Sequence, residues 1–330
     1  MTNEKRKWEK MKVLIGANPM GLEDTLPPCG EGHDVTFVHE PDRAKLSEAI
    51  ADADIYVGWI GDEQFAAAKQ LKWIQSPSSG TNYYLAIPAL VESDVLLTSA
   101  RGTHGACVAD SAMAMILSFT RGVRECVLAQ KENDWEAGRQ VRPNLVELTG
   151  STMCVVGIGA IGRAIAKRAK AFGMRITAVD AFTTDGGEDV ESVSPLERLG
   201  DAMADADYVV VTLPWTPETD GMIGADLIGR MKSTAMMVGM SRGGIIDQDA
   251  LGAALREGKI GSAALDVFKP EPLPADSDLW GLDNLLIMPH VAGGTQLEGH
   301  YIADIFKENL GKFLANDLPL RNQVDKQRGF

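Results

Sequence analysis

The sequence predicts an α/β protein with two doubly wound domains, each built on a parallel β-sheet. Its 330 residues are too many for one ordinary hydrophobic core, so two domains are expected. Its short apolar runs are continuous rather than alternating, which is typical of strands that helices cover on both faces. Helical patterns, such as those at residues 160–172 and 249–259, lie between these runs and give a βαβ repeat.

The apolar runs fall into two groups along the chain. The first group comprises residues 12–17, 35–38, 55–59, 72–76 and 95–99, and the second comprises residues 153–159, 175–180, 208–214, 235–240, 262–268 and 284–289. A long helical pattern, roughly Ala106–Lys131, separates the groups and could bridge the domains, while an amphipathic segment at 298–317 could return to the first domain. We therefore predict a discontinuous first domain, residues 1–104 and 297–330, and a second domain of residues 105–296.

Composition narrows the class of protein. A formal net charge of −14 argues against unaided nucleic-acid binding, which needs a basic surface, and any anionic substrate must be drawn in by local positive groups. No apolar stretch is long enough to span a membrane, and the charged lead "MTNEKRKWEKM" lacks the apolar core of a signal peptide. Four scattered cysteines without a C-x-x-C pair favour reduced thiols. We expect a cytoplasmic protein with no membrane or nucleic-acid partner and no metal.

The segment "VVGIGAIGRAIAKRA" carries a glycine pattern at Gly157, Gly159 and Gly162, between a predicted strand and a predicted helix. Gly157 permits a tight turn, Gly159 lets the backbone approach a pyrophosphate, and Gly162 lets helix and strand pack closely. Asp180 ends the next strand, 18 residues after Gly162, where it can bind the adenine ribose hydroxyls. The sequence predicts a Rossmann domain that binds NAD (as NADH) rather than NADP, because the acidic segment after Asp180 has no Lys or Arg before Arg198.

Three polar side chains follow successive strands of this second domain. Arg242, Glu271 and His290 come after the runs at 235–240, 262–268 and 284–289. Since ligands bind outside the carboxyl ends of parallel strands, these groups are expected to meet beside the nicotinamide end of the cofactor. Any one of them alone would pass for an ordinary surface residue. Together they suit hydride transfer to a ketone beside a carboxylate: Arg242 grips the carboxylate, His290 delivers a proton, and Glu271 favours the charged imidazole.

With these residues in view, the sequence resembles the D-isomer-specific 2-hydroxyacid dehydrogenase family over nearly its whole length. The segments that carry the resemblance are "LKWIQSPSSGTNYY", "ARGTHGACVADSAMAMIL", "VVGIGAIGRAIA", "LPWTPETDGMIG", "MSRGGIIDQDAL", "GSAALDVFKPEPLP" and "MPHVAGG". The resemblance implies catalytic roles for Arg242, Glu271 and His290, a flavodoxin-like substrate domain, and a homodimer. "RNQVDKQRGF" resembles the family's usual ending, so no further regulatory domain is expected.

The resemblance also implies binding residues. Ser79 and Gly80 would offer backbone N–H groups to the substrate carboxylate, with Arg242 as their partner, and Asp266 would lie near the nicotinamide carboxamide. The remaining residues expected to bind the cofactor are Gly157, Gly159, Ala160, Ile161, Gly162, Asp180, Leu213, Pro214 and Met240. The sequence departs from the family at Gly239, where Asn is frequent.

The leading hypothesis is an NADH-dependent reductase that converts a small 2-oxo acid, such as glyoxylate or hydroxypyruvate, into a D-2-hydroxy acid. A second hypothesis keeps the same three groups for another substrate, such as phosphite or 3-phosphoglycerate. A third is a nucleotide-sensing binding protein, like the C-terminal-binding-protein corepressors. His104 and His300 flank predicted helices and have no predicted role.

Overall fold

The computed structural model describes residues 11–18 and 20–328, so the basic N-terminal lead lies outside the described residues. The chain divides into two compact units. The first contains the described residues up to His104 together with those from Thr295 onward, and the second is Gly105–Gly294. Each unit is built on one parallel sheet flanked by helices, which confirms the predicted α/β class. The assignment of the units to substrate and NAD stays a prediction.

The first unit holds a five-stranded sheet in the order β2-β1-β3-β4-β5, which is the flavodoxin-like order. The strands are β1 (Met11–Gly16), β2 (Val35–Glu40), β3 (Ile55–Val57), β4 (Trp73–Gln75) and β5 (Leu96–Thr98). The helices between them are α1 (Leu22–Thr25), α2 (Leu46–Ala49), α3 (Asp62–Ala67), α4 (Asn82–Leu85) and α5 (Pro88–Glu92), with a 3₁₀ helix at Pro27–Gly30. All five strands coincide with predicted apolar runs.

The C-terminal helix, Glu298–Leu314, completes the core of the first unit. Its Phe306 stacks on Trp73 of β4, with ring centroids 5.1 Å apart and planes 12° from parallel. Ile302 and Leu310 on the same face are fully buried in this core. Residues more than two hundred positions apart therefore share one hydrophobic core. The burial of one face of this helix accounts for the amphipathic pattern near the end of the sequence.

The second unit holds a seven-stranded sheet in the order β8-β7-β6-β9-β10-β11-β12. Its strands are β6 (Thr152–Val156), β7 (Arg175–Val179), β8 (Ser192–Ser194), β9 (Tyr208–Val211), β10 (Met236–Gly239), β11 (Ser262–Leu265) and β12 (Leu285–Ile287). Its helices are α6 (Gly105–Thr120), α7 (Val123–Lys131), α8 (Trp135–Arg139), α9 (Ala160–Ala171), α10 (Leu199–Asp205), α11 (Ala225–Ile228) and α12 (Gln248–Arg256), with 3₁₀ turns at Arg142–Asn144, Leu196–Arg198 and Asp278–Gly281. The strand order reverses between β6 and β9, as in a Rossmann domain, and a ligand is expected at that point.

Two features of the second unit differ from the sequence prediction. The single helix predicted over Ala106–Lys131 is wrong, because the chain bends by 69° between α6 and α7. Gly122 adopts a left-handed φ of 62° at the bend, a conformation that glycine takes at little cost. Strand β8 was not predicted, because its sequence Ser-Val-Ser is polar and pairs only with β7 at the edge of the sheet.

Among the described residues, no single helix is long and apolar enough to cross a membrane, and α6 and α7 meet that test only when joined.

Candidate active site

The glycine loop joins β6 to α9 and leaves room for a ligand. A Cβ atom on Gly162 would lie 2.2 Å from the carbonyl oxygen of Gly157, so only glycine allows this approach of helix and strand. Gly157 has a left-handed φ of 94° at the turn. Gly159 precedes α9 without a side-chain cap, and a Cβ atom there would meet nothing within 4 Å. The open space beside uncapped N–H groups fits the pyrophosphate of a dinucleotide.

Asp180 follows β7 and is bound by backbone N–H groups. Its Oδ2 accepts a hydrogen bond from Ile158 at 2.9 Å, and its Oδ1 accepts from Phe182 at 2.8 Å and Thr183 at 3.2 Å. The carboxylate therefore fixes the glycine loop and its own turn. Oδ1 thus accepts two hydrogen bonds, whereas Oδ2 accepts one and keeps a second acceptor site, to which a ribose hydroxyl group can still bind.

A basic group that the sequence analysis missed lies near this acidic segment. Arg163 of α9 donates a hydrogen bond from Nη2 to the carbonyl oxygen of Asp185 at 2.6 Å, and the same nitrogen lies 3.9 Å from the Asp185 carboxylate. Linear reading of the residues after Asp180 could not find it, because the helix brings Arg163 back from an earlier position in the chain. The guanidinium of Arg163 thus lies close to the negative charge of Asp185 in the acidic segment.

His290 and Glu271 are in direct contact at the ends of β12 and β11. Nδ1 of His290 lies 2.7 Å from Oε2 of Glu271, and Oε1 of Glu271 accepts a hydrogen bond from the backbone N–H of Phe268 at 2.8 Å. A carboxylate only accepts hydrogen bonds, so Nδ1 carries the proton in this contact. Nε2 is then the atom that can donate a proton to, or take one from, a bound molecule.

Asp266 holds the backbone that follows His290. It is 4% exposed, and its carboxylate accepts hydrogen bonds from the N–H groups of Val291 at 2.8 Å and Ala292 at 3.1 Å. His290 itself has a left-handed φ of 55°, uncommon for a residue with a side chain. The buried carboxylate thus stabilises the turn that presents the imidazole. Burial raises the pKa of Asp266, against these hydrogen bonds, which lower it.

Arg242 lies in the loop after β10, with an exposed side chain. Its Nη1 donates a hydrogen bond to the carbonyl oxygen of Ser241 at 2.8 Å. The next residue, Gly243, packs so closely on the loop that carries Glu271 that a Cβ atom there would lie 1.8 Å from the carbonyl oxygen of Phe268. The loops of Arg242 and Glu271 are therefore in contact, and their backbones constrain each other.

Gly239, where the family often has asparagine, has little space for a side chain. A Cβ atom there would lie 2.7 Å from the Leu265 side chain, so asparagine fits only if Leu265 moves.

The remaining residues expected at the cofactor differ in exposure. Ala160 and Pro214 are exposed and Ile161 is half-buried, so they are open to a ligand. Leu213 and Met240 are 7% and 4% exposed, which makes core packing their main role in this structure.

Across the described residues, no group of three or more histidine, cysteine, aspartate or glutamate side chains could hold a metal ion. None of the four cysteines, all of which lie within the described residues, forms a disulfide bond.

Ser79 and Gly80 lie in the first unit, where the structure reveals a partner that the sequence analysis missed. The Oγ atom of Ser79 lies 2.8 Å from Nδ1 of His104, and Nε2 of His104 lies 3.0 Å from Oε1 of Glu298. His104 and Glu298 are 194 positions apart, so no local pattern in the sequence could join them. Only the return of the C-terminal helix to this unit brings them together.

Known proteins resemble this chain in sequence and in fold. The family model described as D-isomer specific 2-hydroxyacid dehydrogenase, NAD binding domain, matches residues 113–292. A D-3-phosphoglycerate dehydrogenase from Methanocaldococcus jannaschii is 32% identical over 312 residues, which are 93% of this chain and 58% of that protein. The chain therefore spans little more than half the length of that relative.

Two further comparisons extend over most of both molecules. A glyoxylate reductase from Korarchaeum cryptofilum is 34% identical over 286 residues, covering 84% of this chain and 85% of that protein. A crystal structure of a D-isomer specific 2-hydroxyacid dehydrogenase family protein from Aeromonas salmonicida has a TM-score of 0.85 at 28% identity. That match covers 96% of this chain and 100% of the other.

Proposed function

Because this chain belongs to the D-isomer specific 2-hydroxyacid dehydrogenase family, we propose that it is an NADH-dependent oxidoreductase that interconverts a 2-oxo acid and a D-2-hydroxy acid. The contact between His290 and Glu271 carries the proposal, because it supplies an oriented acid–base group at the strand ends of a dinucleotide-binding sheet. The glycine loop and Asp180 fit the cofactor, which supplies the hydride when bound.

In the proposed reaction the residues of this chain bind the substrate and move one proton. Arg242 pairs with the carboxylate of the oxo acid through its planar guanidinium and polarises the neighbouring carbonyl. Nε2 of His290 gives its proton to the carbonyl oxygen as the alcohol forms, and takes it back in the reverse direction. Glu271 keeps the imidazole oriented through Nδ1 and offsets the charge on it. Ser79 and Gly80 offer backbone N–H groups to the carboxylate.

NADH is the proposed cofactor because of the charge around Asp180. A 2′-phosphate placed on its ribose hydroxyls would meet this carboxylate and the acidic segment that follows. Arginines near that segment already have acidic partners: Arg163 binds Asp185, and Arg175 binds Glu191. These charges favour a ribose with a free 2′-hydroxyl group.

A homodimer is proposed from the resemblance and from an apolar surface on α7 and α8. Val127, Leu128 and Trp135 are 46%, 49% and 78% exposed, so these two helices present apolar side chains to solvent. Association of two copies through this surface would bury them. The mass in solution, measured by light scattering, checks the proposal, and a monomer at micromolar concentration contradicts it. The cytoplasmic location also stays a prediction.

A panel of substrates tests the proposed activity. Oxidation of NADH and of NADPH is followed by absorbance with glyoxylate, hydroxypyruvate and larger 2-oxo acids. The reverse reaction is followed with D-3-phosphoglycerate, which the similarity to a phosphoglycerate dehydrogenase makes the second candidate. We expect turnover of at least one 2-oxo acid with NADH. Tight binding of NADH without turnover of any compound contradicts the proposal and favours a nucleotide sensor.

A further inference from the structure

A second imidazole–carboxylate pair lies in the first unit, outside the acid–base site. Nε2 of His104 lies 3.0 Å from Oε1 of Glu298, and the two side chains are only 15% and 19% exposed. The other ring nitrogen, Nδ1, lies 2.8 Å from Oγ of Ser79 and 2.9 Å from Oγ1 of Thr103. The Ser79 hydroxyl also donates to the carbonyl oxygen of Ala100 at 3.1 Å. We call Ser79, His104 and Glu298 the serine relay.

The contact with Glu298 fixes the role of one ring nitrogen of His104 in the serine relay. The Glu298 carboxylate only accepts, so Nε2 of His104 donates to it. When the ring is charged, Nδ1 donates to the Ser79 oxygen, whose hydroxyl then donates to the carbonyl oxygen of Ala100. When the ring is neutral, Nδ1 accepts from the Ser79 hydroxyl in place of that Ala100 bond, or from the Thr103 hydroxyl. In either state the imidazole fixes the Ser79 side chain, and Glu298 fixes the imidazole. Both ring nitrogens are therefore hydrogen-bonded, Nδ1 to the Ser79 side chain and Nε2 to Glu298 at the start of the C-terminal helix.

The backbone of that loop is prepared for an anion. Among the described residues, the N–H of Ser79 has no hydrogen-bond partner, and the N–H of Gly80 makes a 3.2 Å contact with the Ser78 hydroxyl. The carbonyl oxygen of Ser78 is held by the N–H of Ala100 at 3.0 Å. Hydrogen bonds at Ser78 and Gly80 thus hold the backbone on both sides of the Ser79 N–H group. Such a group needs a fixed direction to bind a carboxylate well, because its hydrogen bond weakens steeply with angle.

We propose that His104 and Glu298 are positioning residues, which hold Ser79 so that its loop binds the carboxylate of the substrate. This inference rests on the proposed function and assigns a task to a half-buried pair that the acid–base chemistry does not use. It separates two jobs in the chain: His290 with Glu271 moves a proton, and His104 with Glu298 fixes the anion site. Loss of the serine relay should therefore weaken substrate binding and leave the chemical step intact.

The first test removes the negative charge of Glu298, at one end of the serine relay. In Glu298→Gln we expect the KM for the 2-oxo acid to rise about tenfold, with kcat changed less than about twofold and the Kd for NADH unchanged. Glu308→Gln is the matched control, because it removes an ion pair with Arg321 from the same helix and should leave all three constants as in the wild type. An unchanged KM in Glu298→Gln overturns the inference.

A double variant distinguishes positioning from general support of the fold. If Glu298 acts through His104 on Ser79, then Ser79→Ala/Glu298→Gln should have the same KM as Ser79→Ala alone. Independent, additive increases in KM would overturn the inference. His104→Asn adds a conservative comparison, since its amide can still reach Ser79 but not Glu298, and we expect a KM between those of the wild type and His104→Ala. This variant carries the test if Glu298→Gln does not fold.

Binding without turnover separates this inference from the proposed function. Oxamate, which has a carboxylate beside its carbonyl group but is not reduced, is titrated into the NADH-saturated protein by calorimetry. We expect about tenfold weaker binding in Glu298→Gln than in Glu308→Gln. If the wild type binds oxamate but reduces no 2-oxo acid, the proposed function fails while the comparison of variants still decides the inference. Equal affinities in the two variants overturn it, as does a wild type that binds no carboxylate.

Discussion

Glu271 holds His290 with one carboxylate oxygen and the backbone of its own loop with the other. Oε2 lies 2.7 Å from Nδ1 of the imidazole, while Oε1 accepts the N–H of Phe268. The loop of Arg242 packs against Phe268 through Gly243. The carboxylate, the imidazole and the arginine loop are thereby linked by direct contacts at the ends of three neighbouring strands, β11, β12 and β10. Substitutions at His290 and Arg242 test whether these groups act as proposed.

Removal of the imidazole tests the proton-transfer role. In His290→Ala we expect kcat to fall by about 10²–10⁴-fold, the range that general acid–base groups contribute, while the Kd for NADH stays within about twofold of the wild type. Steady-state rates and fluorescence titration of NADH provide the two constants. His33→Ala, at an exposed position of the first unit, is the control and should change neither. Loss of NADH binding in His290→Ala would mean that the residue supports the cofactor rather than the chemistry.

Arg242→Lys tests the carboxylate-binding role. An ammonium group keeps the charge but lacks the planar pair of donors, so we expect the KM for the oxo acid to rise about thirtyfold, equivalent to about 2 kcal/mol for a charge-assisted hydrogen bond. Arg256→Lys, in an exposed ion pair with Asp278 of the same unit, is the matched control. The same KM in both variants would exclude a bidentate grip by Arg242.

Asp180 requires two substitutions, because its carboxylate also binds the N–H groups of Ile158, Phe182 and Thr183. Asp180→Ala removes these acceptors and should lower the affinity for both NADH and NADPH. Asp180→Asn keeps one acceptor oxygen and loses the charge, so we expect the preference for NADH to shrink while the melting temperature stays near that of the wild type. The ratio of kcat/KM with the two cofactors measures the preference. An unchanged ratio in both variants would show that the ribose is recognised elsewhere.

The sequence predicts those features that local patterns encode. Within the described residues, eleven of the twelve strands overlap predicted apolar runs, because strands covered by helices on both faces are mostly apolar. The glycine loop is also predictable from a local pattern, because a Cβ atom at position 162 would clash with the carbonyl oxygen of Gly157 and only glycine fits there. Strand β8 escapes prediction because it is a polar edge strand with one neighbour. The break after α6 depends on one glycine inside an otherwise continuous helical pattern.

Features that depend on tertiary contacts are beyond local patterns. The serine relay joins His104 to a helix that returns from the far end of the chain, so neither residue stands out in the sequence. Asp266 appears in the sequence as a carboxylate within an apolar run, and only the structure shows its bonds to the turn after His290. The predicted role of Asp266 at the nicotinamide is untested, whereas its structural role follows directly from these contacts.

The raised pKa of Asp266 predicts how stability depends on pH. A carboxyl group that burial makes harder to ionise binds its proton more tightly in the folded than in the unfolded protein. It therefore stabilises the folded protein at acid pH, and that contribution is lost as the pH rises from the ordinary value of 3.8 through the raised folded value. Asp266→Asn cannot ionise, so the free energy of unfolding of the wild type minus that of the variant should fall over this interval and then become constant.

Urea unfolding at a series of pH values measures this difference. Asparagine also loses one acceptor for the N–H groups of Val291 and Ala292, which shifts the whole curve without changing its slope, and we expect a lower kcat because the turn of His290 loosens. A difference that rises with pH would mean that the hydrogen bonds to the carboxylate outweigh its burial, and Asp266 would then act as a charged anchor for the His290 turn.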